Sequence, residues 1–367
     1  MKALLCILGV LAAAGLSGQD RASRIAASLD DPALAAQLIM SGVDGKARLD
    51  PAMGRILREC PPGALMLFRY NLNTAPDEAR RFIAQCVEAA GAIPPLVAAD
   101  HEGGQVHRFG PGIGRLPPAA SWEERARKEG KAAALAALEE AAYNSGKEIR
   151  GLGLNLNLAP VAEILNGDNR LFLEDRSFGS GPAFTSAAAA AFIRGMERAG
   201  IGCVVKHFPG NSGADPHRDT AILSGSREEL DRAVQPFADL IRGASSGGPP
   251  LAGIMVSHVL VPAWDSRQIG SFSPALIGQW LRGDLGFRGI VLADDFSMAA
   301  AASRTGPGEA AVLSLVAGAD MVMAWPGNLR QVRRAILAAL EGGTLSRSRL
   351  EESAARIIRE KIRLGLL

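Results

Sequence analysis

The chain has 367 residues, 48% of them hydrophobic and 21% charged, with 40 Lys and Arg residues against 38 Asp and Glu residues. This balance is typical of a globular protein and excludes the intrinsically disordered and collagen-like classes. The formal net charge of +2 gives no indication of a nucleic-acid partner.

The first 18 residues have the pattern of a secretory signal peptide. Lys2 supplies a positive start, residues 3–14 are apolar, and residues 15–18 are small enough for cleavage. The apolar run is shorter than the roughly 20 residues of a transmembrane helix. We therefore expect a periplasmic or secreted protein whose residues 19–367 form one domain, without membrane insertion after cleavage. A buried N-terminal helix, as in a cytoplasmic protein, is the alternative.

The cysteines indicate neither a disulfide framework nor a zinc site. Without Cys6, which lies in the predicted signal peptide, Cys60, Cys86 and Cys203 remain. Their number is odd and their spacing is not that of paired metal ligands. We expect no metal and no cofactor.

In the rest of the chain, short apolar runs alternate with Ala-, Leu-, Arg- and Glu-rich stretches of helical period, which predicts a parallel α/β architecture. The predicted strands are residues 38–43, 64–68, 96–99, 154–159, 203–207, 253–258, 290–293 and 321–324. The clearest predicted helices are residues 130–143, 183–200, 309–317 and 346–363. Eight strands that are apolar throughout favour a single-domain (β/α)8 barrel, the TIM barrel, with a doubly wound open sheet as the alternative.

Ionisable residues stand at the ends of four predicted strands. Asp100 ends one strand, Lys206 and His207 a second, His258 a third and Asp294 a fourth. In a barrel the carboxyl ends of the strands build the active site. Because an unpaired buried charge is costly, we predict that these side chains meet in one site.

Five motifs occur in a fixed order: DHEGGQVHR at 100–108, LNLNLAPV at 154–161, DRSFG at 175–179, KHFPG at 206–210 and DDFSM at 294–298. Together they resemble glycoside hydrolase family 3, in particular its single-domain β-N-acetylglucosaminidases of the NagZ type. The similarity spans nearly all of the chain after residue 38. The resemblance implies a β-N-acetylhexosaminidase that removes terminal β-linked GlcNAc from peptidoglycan fragments or chitooligosaccharides.

The resemblance also implies a retaining reaction through a covalent glycosyl-enzyme. Asp294 matches the nucleophile of the family. Asp215 and His217 match a dyad in which the histidine is the acid/base and the aspartate orients it; the pKa of a histidine, near 6.5, suits both proton transfers. The loop is shorter than usual, and Asn211 and Pro216 stand where the family usually has His and Ser.

Substrate contacts follow from the same matching. Asp100, Lys206 and His207 correspond to residues that bind sugar hydroxyls in the family. Arg108 and Arg176 correspond to further binding positions, with ion pairing inside the barrel as an equal alternative for both.

Other side chains are expected near or away from this site. His258 is expected at the floor of the pocket, with a hydrogen-bonded core histidine as an equal alternative. Asp295 would point away from the site if the strand continued past Asp294. Trp264 lies in a loop from which it could stack on a sugar, whereas the other tryptophans, Trp325 among them, are expected to pack.

Three other functions stay open at this point. The first is a family 3 β-glucosidase or another β-glycosidase, although the β-glucosidases usually take their acid from a second domain. The second is a non-catalytic sugar-binding protein, and the third is a barrel aldolase with Lys206 as a Schiff-base lysine. For the β-N-acetylhexosaminidase we expect a monomer whose partner is a carbohydrate, a GlcNAc-containing glycan, and not a nucleic acid.

Overall fold

The computed structural model describes residues 18–213 and 220–367. Residues 1–17 of the predicted signal peptide therefore lie outside the described residues. No helix in the described ranges is long and apolar enough to cross a membrane.

Eight parallel strands form the central sheet. They are β1 (Ile39–Gly42), β2 (Ala64–Met66), β3 (Leu96–Ala99), β4 (Leu156–Asn157), β5 (Gly202–Phe208), β6 (Gly253–Val256), β7 (Ile290–Ala293) and β8 (Val322–Ala324). They lie in the order β7-β6-β5-β4-β3-β2-β1-β8, so strands that are consecutive in the chain are neighbours. Leu292 of β7 bridges Met321, just before β8, and brings the two ends of the sheet together. The structure confirms the predicted (β/α)8 barrel, and the open sheet is wrong.

Helices connect the strands and surround the barrel. The α-helices are Gly18–Ser28, Asp31–Gln37, Pro51–Glu59, Arg69–Leu72, Pro76–Ala89, Ala120–Glu129, Lys131–Leu152, Arg170–Leu173, Pro182–Arg198, Arg227–Ala233, Gln235–Ser245, Ala299–Ala302, Pro307–Ala317, Leu329–Glu341 and Arg347–Arg363. A π-helix spans Ala275–Asp284, and 3₁₀ turns span Gly270–Phe272 and Pro326–Asn328. Two short antiparallel pairs, Gly45–Lys46 with Arg48–Leu49 and Leu260–Val261 with Asp265–Ile269, lie outside the barrel sheet.

The strands are apolar throughout because both of their faces are buried. In β3, Leu96 and Ala98 belong to a small cluster that collects residues from all around the barrel, which is its interior. Val97 and Ala99 alternate with them and belong to the larger core between the sheet and the helices. This arrangement explains why the strands read as apolar runs rather than as alternating patterns.

Local signals set the start of individual helices. The side chain of Asp30 accepts a hydrogen bond from the backbone N–H of Ala33 at 2.8 Å and so caps the helix Asp31–Gln37. Asp50 caps the helix Pro51–Glu59 in the same way. Both helices have a proline in the first turn, where its missing N–H leaves no hydrogen bond unmade.

A buried aspartate ties the helices to the barrel. Asp320, which is fully buried, accepts hydrogen bonds from Arg356 and from the backbone N–H of Val291 in β7, both at 2.9 Å. It also binds Ser353, at 2.9 Å, and Arg282 of the π-helix. One carboxylate thus joins β7, the π-helix and the last helix.

Asp320→Asn should destabilise the protein by about 3–5 kcal/mol, because it removes the charge that compensates buried arginines. Urea unfolding of the variant at neutral pH measures this loss. Asp284→Asn is the matched control, since it removes an exposed pair with Arg227 and should cost less than about 1 kcal/mol. Equal stability of the two variants would contradict this account of Asp320.

Candidate active site

A cavity of about 230 Å³ lies at the carboxyl ends of the barrel strands. Six of the predicted site residues line it: Asp100, Arg108, Arg176, Lys206, His207 and Asp294. They come from separate parts of the chain and meet because the strands are parallel and end on one face. Their individual roles stay predictions at this point.

Lys206, near the end of β5, is the centre of the charged groups that line the cavity. Its Nζ atom lies 2.6 Å from Oδ1 of Asp100 and 2.7 Å from Oε1 of Glu102. Arg108 donates to the other oxygen of Asp100 at 3.0 Å. Arg176 donates two hydrogen bonds to Glu102, at 2.7 and 2.9 Å. The two acidic and three basic side chains thus form one network. Both arginines are ion-paired, as one of their two predicted alternatives states, and both also line the cavity.

The network fixes the protonation of its members. Burial alone would raise the pKa of Asp100, but Lys206 and Arg108 hold it well below its usual range. Burial is likewise outweighed at Glu102, whose pKa falls to about 2 beside Lys206 and Arg176. The two carboxylates raise the pKa of Lys206 although burial opposes this. A protonated amine is not a nucleophile, which argues against the Schiff-base lysine of an aldolase.

His207 is oriented by an acid that the sequence analysis did not single out. Its Nδ1 atom lies 2.6 Å from Oε1 of Glu163, which is buried. Because this hydrogen bond uses Nδ1, Nε2 is the ring nitrogen left for a ligand in the cavity. Only its position two residues after the LNLNLAPV motif could have drawn attention to Glu163.

Asp294 and Asp295 both line the cavity. The expectation that Asp295 points away is wrong, because β7 ends at Ala293 and the alternation of a strand does not continue. Asp295 accepts hydrogen bonds from Trp325 Nε1, at 3.1 Å to each carboxylate oxygen. Asp294 accepts one from the backbone N–H of Asp295 at 2.8 Å.

His258 lies behind the cavity and not at its floor. The side chain is fully buried and is absent from the cavity lining. Burial lowers its pKa, so the ring is neutral. Nε2–H donates to the carbonyl of Asp295 at 3.0 Å, and Nδ1 accepts from the Ser271 hydroxyl at 2.7 Å. Its position is that of the alternative, a hydrogen-bonded core histidine, and it supports the backbone next to Asp294.

The tryptophans are placed differently from the expectation. Trp264 packs against Trp280, with ring centroids 4.7 Å apart, and Arg227 covers its ring. Trp325 stacks on Phe68, which lines the cavity, at 4.9 Å. Trp325 is therefore the tryptophan that contacts residues of the cavity lining, namely Asp295 and Phe68.

The rest of the cavity lining is apolar. It is formed by Met66, Phe68, Met255, Met298 and Met323, with Val106, Leu158 and Phe172. A ligand in the cavity therefore meets charged groups as well as hydrocarbon and aromatic groups. Sequence reasoning did not single out these apolar residues because they are scattered along the chain, and only Val106, Leu158 and Met298 lie within the five motifs.

Asp215 and His217 fall between the two described ranges and so lie outside the described residues. Their predicted role as acid/base dyad is carried by the sequence alone. The residues on either side are described. Asn211 is bonded to Glu163, and Leu223 donates its backbone N–H to the carbonyl of Leu260 at 2.8 Å.

Glu102→Gln should change how stability depends on pH. The folded-state pKa of Glu102, about 2, lies below the ordinary value of 4.5. The charge therefore stabilises the fold fully above the ordinary value, and the contribution is lost as the pH falls towards 2. At neutral pH we expect the variant to lose about 3–5 kcal/mol, because Lys206 and Arg176 lose a buried partner.

Urea unfolding at pH 7, 5 and 3, conditions chosen to span this range, measures the difference between wild type and Glu102→Gln. The difference should shrink towards pH 3, where the wild type has begun to lose the same contribution. A difference that is constant across the three pH values would show that the charge of Glu102 does not stabilise the fold.

The comparisons with known proteins agree with this geometry. Residues 34–360 match the model of the glycosyl hydrolase family 3 N-terminal domain. A β-hexosaminidase from Methylococcus capsulatus is 38% identical over 312 residues, which are 83% of this chain and 87% of that protein.

Solved structures are similar over most of this chain. A family 3 β-N-acetylglucosaminidase from Paenibacillus sp. superposes with a TM-score of 0.85 and 30% identity, covering 92% of this chain but only 63% of that one. A β-N-acetylhexosaminidase from Beutenbergia cavernae gives a TM-score of 0.79 and 26% identity, covering 92% and 99% of the two chains. The chain belongs to glycoside hydrolase family 3.

Proposed function

We propose that the protein is an exo-acting β-N-acetylglucosaminidase that removes terminal β-linked GlcNAc with retention of configuration. The Methylococcus relative is named a β-hexosaminidase, and the Paenibacillus structure is that of a β-N-acetylglucosaminidase. The cavity of about 230 Å³ is smaller than the roughly 300–1,000 Å³ of sites for drug-sized ligands. This size favours one sugar unit at the end of a chain.

One observation carries the assignment of the nucleophile. Among the described residues, Asp294 is the cavity carboxylate that has no ion pair and no hydrogen bond from another side chain; its one hydrogen bond comes from the backbone N–H of Asp295. Asp100 and Glu102 are bound by cations, and Asp295 is bound by Trp325. Within the described ranges, Asp294 is thus the cavity carboxylate best placed to form a bond with an incoming carbon atom.

The reaction that follows has two steps. A carboxylate oxygen of Asp294 attacks the anomeric carbon while the bond from that carbon to the leaving oxygen breaks and the acid protonates the leaving oxygen. Water then attacks the same carbon, the acid/base takes its proton, and the ester to Asp294 breaks. Two displacements at one carbon give net retention of configuration.

The protonation states of Asp100 and Glu102 support an acid from elsewhere in the chain. Asp100 and Glu102 are ionised at neutral pH, so neither has a proton to donate. We propose that His217 supplies it and that Asp215 orients the ring, because this dyad matches the family and lies in the loop that follows β5.

Asp100, Lys206 and His207 are proposed to bind the sugar hydroxyls, with Arg108 and Arg176 beside them. A pyranose carries hydroxyls around its rim and C–H groups on its faces. The charged groups of the cavity suit the hydroxyls, and its methionine and phenylalanine side chains suit the C–H groups and the acetamido methyl. We infer that the substrate is a peptidoglycan fragment or a chitooligosaccharide.

Asp294→Ala should lower the turnover of a β-GlcNAc aryl glycoside by at least about 10³-fold, because the covalent step loses its nucleophile. Release of nitrophenol from the β-GlcNAc and β-glucoside substrates, measured side by side, tests activity and sugar preference together. We expect GlcNAc-selective turnover in the wild type and in Asp284→Asn, a surface control. Preference for the glucoside would favour the β-glucosidase alternative, and no turnover of either would favour a sugar-binding protein.

His217→Ala should slow substrates with poor leaving groups more than activated ones, because an activated phenol leaves without a proton. The measurement is kcat/KM for dinitrophenyl β-GlcNAc and for chitobiose. We expect a loss of about 10²–10⁴-fold for chitobiose and a smaller loss for the aryl substrate. An equal loss for both would remove His217 from the acid role.

We further propose that residues 1–18 direct export, so that the mature protein is periplasmic or secreted. Fractionation of cells with mass spectrometry of the N-terminus tests this. Residues 1–18 should be absent from the mature protein, and a cytosolic protein that retains them would contradict export. The monomeric state and the absence of a nucleic-acid partner stay predictions, which size-exclusion chromatography with and without DNA can check.

A further inference from the structure

Glu163 is a buried acid with an unusual set of partners. Its side chain is 1% exposed, and it has no Lys or Arg partner within ion-pair distance in the described ranges. Oε1 lies 2.6 Å from Nδ1 of His207, and Oε2 accepts the backbone N–H of Asn211 at 2.6 Å. The Asn211 amide donates to both oxygens, at 3.1 and 3.3 Å. One carboxylate therefore satisfies donors from two residues.

These two residues belong to different parts of the site. His207 lines the cavity, whereas Asn211 is buried and follows the end of β5, where the chain leaves towards Asp215 and His217. The carbonyl of Gly210, the residue before Asn211, accepts a hydrogen bond from the Ser257 hydroxyl at 3.2 Å. The start of this loop is thus fixed on two sides, and one of them is shared with His207.

The backbone of Glu163 is fixed as firmly as its side chain. Its carbonyl accepts the hydroxyl of Ser177 at 2.6 Å, and Ser177 follows Arg176 of the charged network. The preceding residue, Ala162, donates its N–H to the carbonyl of Lys206 at 2.8 Å. The carboxylate therefore has little freedom to move to a different position.

We propose that Glu163 is a positioning residue that sets the sugar-binding orientation of His207 and, through the same carboxylate, the start of the loop at Asn211. The proposal rests on the proposed function. A displacement of Asn211 reaches His207 through Glu163, so sugar binding by His207 and the position of Asn211 depend on each other.

Glu163→Gln is the direct variant, because the amide has nearly the same volume but only one acceptor oxygen. Either His207 or Asn211 then faces an NH₂ group and loses its acceptor. We expect the affinity for GlcNAc to fall, and kcat/KM for the aryl β-GlcNAc substrate to fall by about 10–100-fold, as for a displaced contact residue. Glu360→Gln is the matched control, since it alters a buried glutamate bonded to Arg363 at the other end of β5 and should keep both values.

The NMR signal of the proton on Nδ1 of His207 reports on the hydrogen bond to Glu163. A general loss of stability would leave this signal unchanged. In protein labelled with ¹⁵N-histidine, an Nδ1–H bonded to a carboxylate gives a downfield proton signal, which His207→Asn assigns. We expect the signal in the wild type and in Glu360→Gln, and its loss or displacement in Glu163→Gln. An unchanged signal together with wild-type GlcNAc affinity in Glu163→Gln would overturn the proposal.

Asn211→Ala tests the coupling and serves where Glu163→Gln does not fold. This variant removes the two amide hydrogen bonds and keeps the backbone N–H, so the signal of His207 should shift although His207 is not altered. An unchanged signal and unchanged GlcNAc affinity would show that Asn211 and His207 are independent. GlcNAc binding by calorimetry and the proton signal need no turnover, so an inactive wild type would refute the proposed function and still leave this test valid.

Discussion

The burial of the Lys206 ammonium group between Asp100 and Glu102 is the constraint on which the site depends. A charge in a barrel interior is costly unless it is paired, and here Lys206 is 3% exposed with Nζ within 2.7 Å of both carboxylates. Arg108 pairs with Asp100, and Arg176 pairs with Glu102; both arginines lie outside β5. The network joins the loop after β3, the loop after β4 and β5 itself, so it fixes the shape of the cavity before any ligand enters.

The same pairing distinguishes the ion-paired acids of the site from Asp294. The paired carboxylates, Asp100 and Glu102, stay ionised, because their protons are lost far below neutral pH. Asp294 has no such partner among the described residues and is available for covalent chemistry. Trp325 and His258 bind the carboxylate and the carbonyl of its neighbour Asp295, so the proposed nucleophile is supported at the end of β7.

Much of this could be predicted from the sequence. The eight strands were predictable because each is buried on two faces and reads as an apolar run, and the strand-end residues were predictable because a barrel gathers them. The contacts of Glu163 and Asp295 were not predictable, because they depend on how loops bend after β4 and β7. The sequence does not decide between the pocket floor and the core for His258, because a strand-end histidine has the same pattern whether it faces a ligand or the backbone of the next strand end.

The claim that Asp294 forms a covalent bond to the sugar is tested most directly by trapping that intermediate. A 5-fluoro β-GlcNAc donor with an activated leaving group slows both steps, and a good leaving group lets the glycosyl-enzyme accumulate. Mass spectrometry of the protein and of its peptides should find one added fluoro-GlcNAc, attached to Asp294. A label on another carboxylate, or an α-configured first product of the unmodified β-substrate, would contradict the retaining reaction at Asp294.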